Sequence, residues 1–452
     1  MKPPFTHITR LLSWLETPVP VAPLVTLRIG FGLMMLVATV RFLALGWVQT
    51  HYLEPVFHFT FFGFGWVRPL PAPLMYGLHY LMIVCSVGII IGWQYRVAAL
   101  VFAVSFTYCE LIDLAYYLNH YYFISLMAFL LALVPAAGDL SVDAFRHPAH
   151  RRTTVPRWMT GLFQVQIAIV YVYAGWAKLN TDWLLHALPL RIWLPQHQDI
   201  PLLGPLLAYP ETAYVFSWAG MLYDSTIVGF LCWSRTRWWA YAAVIVFHVL
   251  TGILFPIGMF PAVMILIAPI FFPARIHAQV VEYLRRYLPP LPDAGPIPPP
   301  EIRGRVFRYL ILGLYLGFQV LFPWRYLLYR GNLFWNEEGF RFSWRVMLVE
   351  KTGTARFYVQ DGPEGSARLV PNAQFLNAWQ EKQMAFQPDM ILQYAHFLGA
   401  HYRAQGMQDP QVRASVSVSL NGRPARPLVD PALDLLTVQD GWAQKNWVLE
   451  EN

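Results

Sequence analysis

The stretch IVYVYAGWAKLNTDWL, residues 169–184, begins as an apolar helix and places Lys178 where the apolar run gives out. Lys178 is the only formal charge between Arg157 and Asp182. Tyr171, Tyr173, Trp176 and Trp183 lie near it in sequence, and Asn180 and Asp182 offer polar partners. Two chemistries suit such a lysine. Its ammonium can snorkel to a membrane interface as an anchor. Alternatively, poor solvation among aromatic rings favours the neutral amine, which can then act as a base near neutral pH. A second cluster, ELIDLAYYLNHYYF at 110–123, sets Glu110 and Asp113 in an otherwise apolar run, with Asn119 and His120 just beyond. Ionisable groups at membrane depth are expensive and mark function by default. Pairing with arginines of the bundle is the structural alternative. A third element, VFHVLTGILFPIGMFP at 246–261, contains His248, which reads as a satisfied core histidine or as a site residue. Two histidines on different helices raise bis-histidine haem ligation. The lack of further pairs and of a CxxCH motif argues against it.

The elements that must position these residues are membrane helices. The 452 residues are 56% hydrophobic and 13% charged, with a mean hydropathy of +0.40. A water-soluble chain carries about 25% charged residues. Apolar runs long enough to cross a bilayer, about 20 residues each, fall near 21–45, 72–92, 97–117, 120–137, 160–178, 213–233, 238–254, 259–273 and 306–323. The third and fourth form a hairpin, as do the seventh and eighth. The count is about nine, or eight if one hairpin is re-entrant. The first run is too long for a signal-peptide core and reads as a retained span. Cys85, Cys109 and Cys232 are scattered through apolar segments, which suggests neither a disulfide framework nor a zinc site.

Basic residues set the orientation. With the N-terminus in the cytoplasm, Arg96, Arg146, Arg151, Arg152, Arg157, Arg235, Arg237, Arg275, Arg285 and Arg286 share one side, while few fall opposite. The protein is therefore expected in the cell's inner (plasma) membrane, with everything after residue 323 outside. The net charge of +7 is explained by these loops, and nucleic acid is not an expected partner. The Pro-rich PPLPDAGPIPPP at 289–300 reads as a stiff cytoplasmic connector.

Beyond residue 323 the pattern changes. Ile391, Ala395, Leu398 and Tyr402 recur at helical spacing, whereas Val416, Val418 and Leu420 alternate before a turn at Asn421-Gly422. The fold class is thus a polytopic α-helical membrane bundle over 1–323 with a C-terminal extracytoplasmic α+β domain over 324–452.

Several motifs in one order carry a resemblance across nearly the whole chain: FGFGWVRPLP (62–71), LIDLAYYLNHYYF (111–123), YAGWAKLNTDW (173–183), MLYDSTIVGFL (221–231), FHVLTGILFPIGMF (247–260) and NEEGFRFSWRVML (336–348). The chain resembles the vitamin K-dependent γ-glutamyl carboxylases and their bacterial relatives, the HTTM membrane proteins. The resemblance implies that Lys178 is the weak base and that Asn119 and His120 sit beside it at a quinone head. It places His248, Phe260 and Trp344 along the site, and Asp113 is grouped with them as substrate-binding. The chain departs from the animal enzymes, which carry two adjacent lysines and an aspartate where it has Ala177, Lys178 and Asn180.

The implied reaction couples oxygenation of reduced vitamin K, a naphthohydroquinone, with O2 to proton abstraction and CO2 addition at a glutamate of a peptide or protein. It requires no metal. A quinol epoxidase that does not carboxylate protein stays open, as does a transporter or a lipid- or solute-binding membrane protein. Aromatic lining around a single lysine suits a quinone better than a hydrophilic permeation path.

Overall fold

The computed structural model describes residues 5–290 and 302–451. From residue 291 on, the expected Pro-rich connector lies outside the described residues. The membrane part is built from α1 (Ala22–Ala44), α2 (Ala72–Ile91), α3 (Tyr95–Ile112), α4 (Asn119–Leu133), α5 (Arg157–Ala177), α6 (Pro210–Cys232), α7 (Arg237–Leu254), α8 (Phe260–Ile267), α9 (Ala274–Arg285) and α10 (Ile302–Leu321). Proline in the first turn opens α1, α2 and α6, where its missing N–H costs nothing.

Seven helices among the described residues are long and apolar enough to cross a membrane. Two of the nine expected spans differ. The fourth, α4, has only 15 residues, short of a straight crossing. The eighth is broken: the helix over Phe260–Phe271 meets α9 at 109°. Pro273 opens α9 and forces Phe272 into extended backbone (ψ 155°), so the helix cannot run through.

At one end of the bundle Arg28 of α1 is fully buried. Its guanidinium donates to the carbonyls of Ile89 (2.5 Å), Ile90 (2.6 Å), Ala136 (3.0 Å), Asp139 (3.3 Å) and Leu140 (2.7 Å). It thereby fastens the ends of α2 and α4 to α1. Sequence reading passed over this charge, whose role is structural.

The outer domain pairs one antiparallel sheet with two helices. The strands are β1 (Lys351–Asp361), β2 (Arg368–Val370), β3 (Pro410–Leu420) and β4 (Arg426–Pro427), in the order β2-β1-β3-β4. β1 and β3 run in register from Lys351 opposite Leu420 to Asp361 opposite Pro410. Val412, Ala414, Val416, Val418 and Leu420 alternate into the core, as the period-2 pattern requires. The hairpin to β4 turns on Asn421 (φ 53°) and Gly422 (φ 74°), two residue types that tolerate left-handed backbone. The helices are α11 (Ala378–Met384) and α12 (Pro388–Ala404), and Ile391, Ala395, Leu398 and Tyr402 of α12 are buried against the sheet.

This core does not close by itself. It includes Phe59 and Phe61 from the α1–α2 loop and Leu114 and Ala115 from the α3–α4 turn. Polar contacts fix the same seam. The Gln393 side chain exchanges two 2.9 Å hydrogen bonds with the Thr60 backbone, and Trp379 Nε1 donates to Ala115 O at 2.9 Å. Asp113, expected at the substrate, belongs to this joint. Its carboxylate meets His58 Nδ1 (3.0 Å), Gln380 Nε2 (2.7 Å) and the Ala115 N–H (2.9 Å). These contacts hold the outer domain on the hairpin turn, and Asp113 also lines the large cleft between the two.

Candidate functional site

Lys178 caps the C-terminus of α5. Its neighbourhood depends on Gly175, three residues earlier, where a Cβ would stand only 2.7 Å from the Ser225 backbone nitrogen of α6. Glycine lets the two helices approach until Lys178 reaches Asp224. The Lys178 ammonium donates to Asp224 Oδ2 at 2.7 Å and to the Ala174 carbonyl at 2.9 Å, and lies 5.3 Å from the centre of the Trp183 ring. Both partners are buried, Lys178 with 6% of its surface exposed. It is neither a rim anchor nor a lone charge.

The polar partners expected for it are engaged elsewhere. Asn180 Oδ1 accepts from the Trp183 N–H (2.9 Å) and Nδ2 donates to Ala177 O (3.0 Å). Asp182 takes Arg423 Nη2 (2.5 Å), Arg423 Nη1 (2.9 Å) and Asn421 Nδ2 (2.7 Å) of the outer domain. Burial alone would raise its carboxyl, but Arg423 and Asn421 hold it below the ordinary aspartate value. Asp224, the residue that does meet the lysine, was missed in the sequence. The signal was present, since an acid inside the run 213–233 is as costly as Glu110 in its own.

The pair opens onto a chamber of about 90 Å³ walled by Tyr171, Trp183, Phe216, Phe247, His248 and Phe260, among others. His248 Nε2 and the Tyr171 hydroxyl are 2.9 Å apart, and a further 3.4 Å contact links Tyr171 to Tyr223. His248 Nδ1 is buried with no hydrogen-bond partner. The Lys178–Asp224 pair and the His248 ring thus line a largely aromatic and aliphatic space.

A second cavity of about 910 Å³ lies between the α3–α4 hairpin and the outer domain, lined by Glu110, Asn119, His120, Arg345, Lys351 and Trp379 among others. Asn119 Nδ2 donates to Arg345 O (2.8 Å) and its Oδ1 accepts from the Tyr117 hydroxyl (3.0 Å). His120 packs edge-on to Tyr121 and against Phe260, with ring centres 4.6 and 5.8 Å away. Arg341 is bonded to Asp389 and Lys351 to Glu337 at 2.8 Å. Burial pushes the Lys351 ammonium down while Glu337 opposes it. Burial would lift the Asp389 carboxyl, but Arg341 holds it below its ordinary value.

Ile257, Phe260, Val346 and Met347 line both spaces and form the partition between them. Phe260 stands between the two histidines, 5.8 Å from His120 and 5.6 Å from His248. Asn119 and His120 therefore face the cleft on one side, and Lys178 with His248 faces the chamber on the other. The hairpin pair and the lysine thus line adjoining spaces that share Phe260 as a wall. Trp344 is buried and lines neither space directly; it stacks on Tyr122, with ring centres 4.9 Å apart. Phe342, Trp344 and Met347 all carry left-handed backbone (φ 57°, 58° and 52°). Such strain persists only where surrounding contacts over-determine it. Here those contacts include the Phe342 N–H donating to Tyr117 Oη (2.8 Å) and Arg325 Nη1 donating to Ser343 Oγ (3.0 Å).

A chamber of this size holds about three waters, while ligand cavities run about 300–1,000 Å³. The chamber suits a reacting edge or a small gas, and the cleft suits a bulkier ligand. Among the described residues no group of three or more His, Cys, Asp or Glu side chains is placed to hold a metal ion.

Comparison with known proteins gives two family matches. The model described as HTTM domain matches residues 16–275, and that described as vitamin K-dependent gamma-carboxylase, lumenal domain matches residues 305–452. No solved structure matches the chain.

Proposed function

The chain belongs to the HTTM domain family and its C-terminal part to the lumenal domain of the vitamin K-dependent gamma-carboxylases, and from that premise we propose that it oxidises a reduced naphthoquinone in the membrane and thereby carboxylates glutamate in a peptide. The observation that carries this reading is the buried Lys178–Asp224 pair in an aromatic chamber, one partition away from a large cleft under the outer domain.

The residues present fit a reduced quinone. Aromatic walls match its ring, and the unpartnered His248 Nδ1 is a polar atom that a quinol oxygen would satisfy. Phe260 and His120 on the cleft wall would hold the ring, and the Lys178–Asp224 pair beyond the shared residues Phe260 and Met347 would take up its proton. When bound with O2, the reduced quinone supplies a base strong enough for an unactivated glutamyl C–H. The protein's own part is proton handling and the exclusion of water. Lys178 and Asp224 together hold one proton between amine and carboxylate. An added quinol proton leaves an ammonium beside a carboxylic acid, next to the anion it has produced. The Tyr171–His248 contact fixes the imidazole's orientation. Dry walls keep water from quenching a strong base or a carbon anion before CO2 adds. The outer domain, with its cleft over the hairpin turn, presents the peptide.

The test is direct. Purified protein given reduced vitamin K and O2 forms the epoxide, and a glutamyl peptide incorporates labelled CO2. Lys178→Ala, still folded, forms neither. Epoxide without carboxylated peptide selects a quinol epoxidase, and the absence of both in the folded wild type selects a binding or transport protein.

A further inference from the structure

Arg345 sits at the floor of the cleft, immediately before Val346 and Met347 of the partition. The neighbouring cations are neutralised: Arg341 by Asp389, Lys351 by Glu337. Arg325 is turned to Ser343 Oγ and to the carbonyls of Phe322 and Arg341. Arg345 has no carboxylate partner among the described residues. Its guanidinium lies over the Tyr326 ring at 4.4 Å, and its Nε is buried without a hydrogen-bond partner. Arg41, a further cation of the cleft lining, is exposed and lies over the Trp47 ring at 4.9 Å.

The cation is also held in place. Its backbone carbonyl accepts from Asn119 Nδ2 at 2.8 Å, and left-handed residues on either side, Trp344 and Met347, fix the local chain path. A planar fork of donors on a residue that lines the cleft, stacked on Tyr326 and without a carboxylate partner among the described residues, matches a carboxylate.

Resting on the reading above, we propose that Arg345 is the residue that selects glutamate: its guanidinium receives the side-chain carboxylate of a glutamyl peptide in the cleft. That contact places the glutamyl methylene against Val346 and Met347, across the partition from Lys178. Asn119 supports the arrangement through the Arg345 backbone.

The experiment measures binding, not turnover. Full-length protein in neutral phosphatidylcholine nanodiscs is titrated with a fluorescent pentapeptide, acetylated and amidated, carrying one glutamate or one glutamine. The wild type prefers the glutamyl peptide at least tenfold. Arg345→Gln brings the ratio close to one, and Arg345→Lys retains part of the preference because charge remains without the fork. Epoxide formation is recorded on the same preparations, so that failure of the quinone chemistry is seen apart from the peptide preference. An unchanged preference in folded Arg345→Gln overturns the proposal, as does the absence of any preference in the wild type. Should the glutamine variant fail to fold, equal preference in Arg345→Lys and wild type at raised salt overturns it too.

Discussion

Asp224 changes what Lys178 is able to do. A lysine facing only aromatic rings would be a base by default, whereas one held 2.7 Å from a buried carboxylate shares its proton with a partner. Removing one member leaves the other charge buried and uncompensated, which costs about 3–5 kcal/mol, while replacing both with apolar residues is often close to neutral. Asp224→Ala should therefore lower the thermal midpoint in detergent sharply. Lys178→Met with Asp224→Leu should recover most of that loss and still form no epoxide. Losing a general base removes about 10²–10⁴-fold in rate, so Lys178→Met should reduce epoxide formation by at least about the lower figure. Wild-type rates in that variant would show that Lys178 does not act as the base.

At the scale of elements, the approach of α5 to α6 is set by Gly175. A larger residue there drives into the Ser225 backbone, and overpacking of this kind costs about 1–3 kcal/mol. Gly175→Leu should lower the melting temperature and reduce quinone-dependent turnover further than stability explains, because the Lys178–Asp224 contact stretches. Gly161, on the same helix, has open space around its Cβ position, and Gly161→Ala should gain up to about 1 kcal/mol from helix propensity alone. The outer domain's hold on the bundle adds a pH dependence. Asp182 is held below its ordinary value by Arg423 and Asn421 against the effect of burial. The stability it contributes is therefore complete above about pH 4 and is lost as pH falls through the depressed value. For a partly exposed pair the loss is about 0.2–1 kcal/mol. Protease sensitivity of the seam should rise below pH 4 in the wild type, and Asp182→Asn should show the raised level at neutral pH.

Taken whole, the molecule sets a large cleft and a small dry chamber at the same end of the bundle, under one domain. The lumenal-domain match agrees with an extracytoplasmic place for that domain. A tag appended to the C-terminus should be reachable by an impermeant reagent on intact cells. Labelling only after the membrane is opened would reverse the orientation.

Much of this was legible in the sequence because it rests on local physics. Long apolar runs must be helices in lipid, and alternating Val416, Val418 and Leu420 must turn one face inward. Asn421-Gly422 turns because both residues accept left-handed backbone, and a charge inside a greasy run demands a reason. What the sequence left undecided was which groups meet. Asp224 lies 46 residues from Lys178, and the two touch only because a glycine on one helix lets another helix close in. The break at Pro273 is local proline chemistry, whereas the side of Phe260 on which His120 falls and the employment of Asp113 in a joint follow from how elements pack. Such choices depend on both partners at once, so no single stretch of chain contains them.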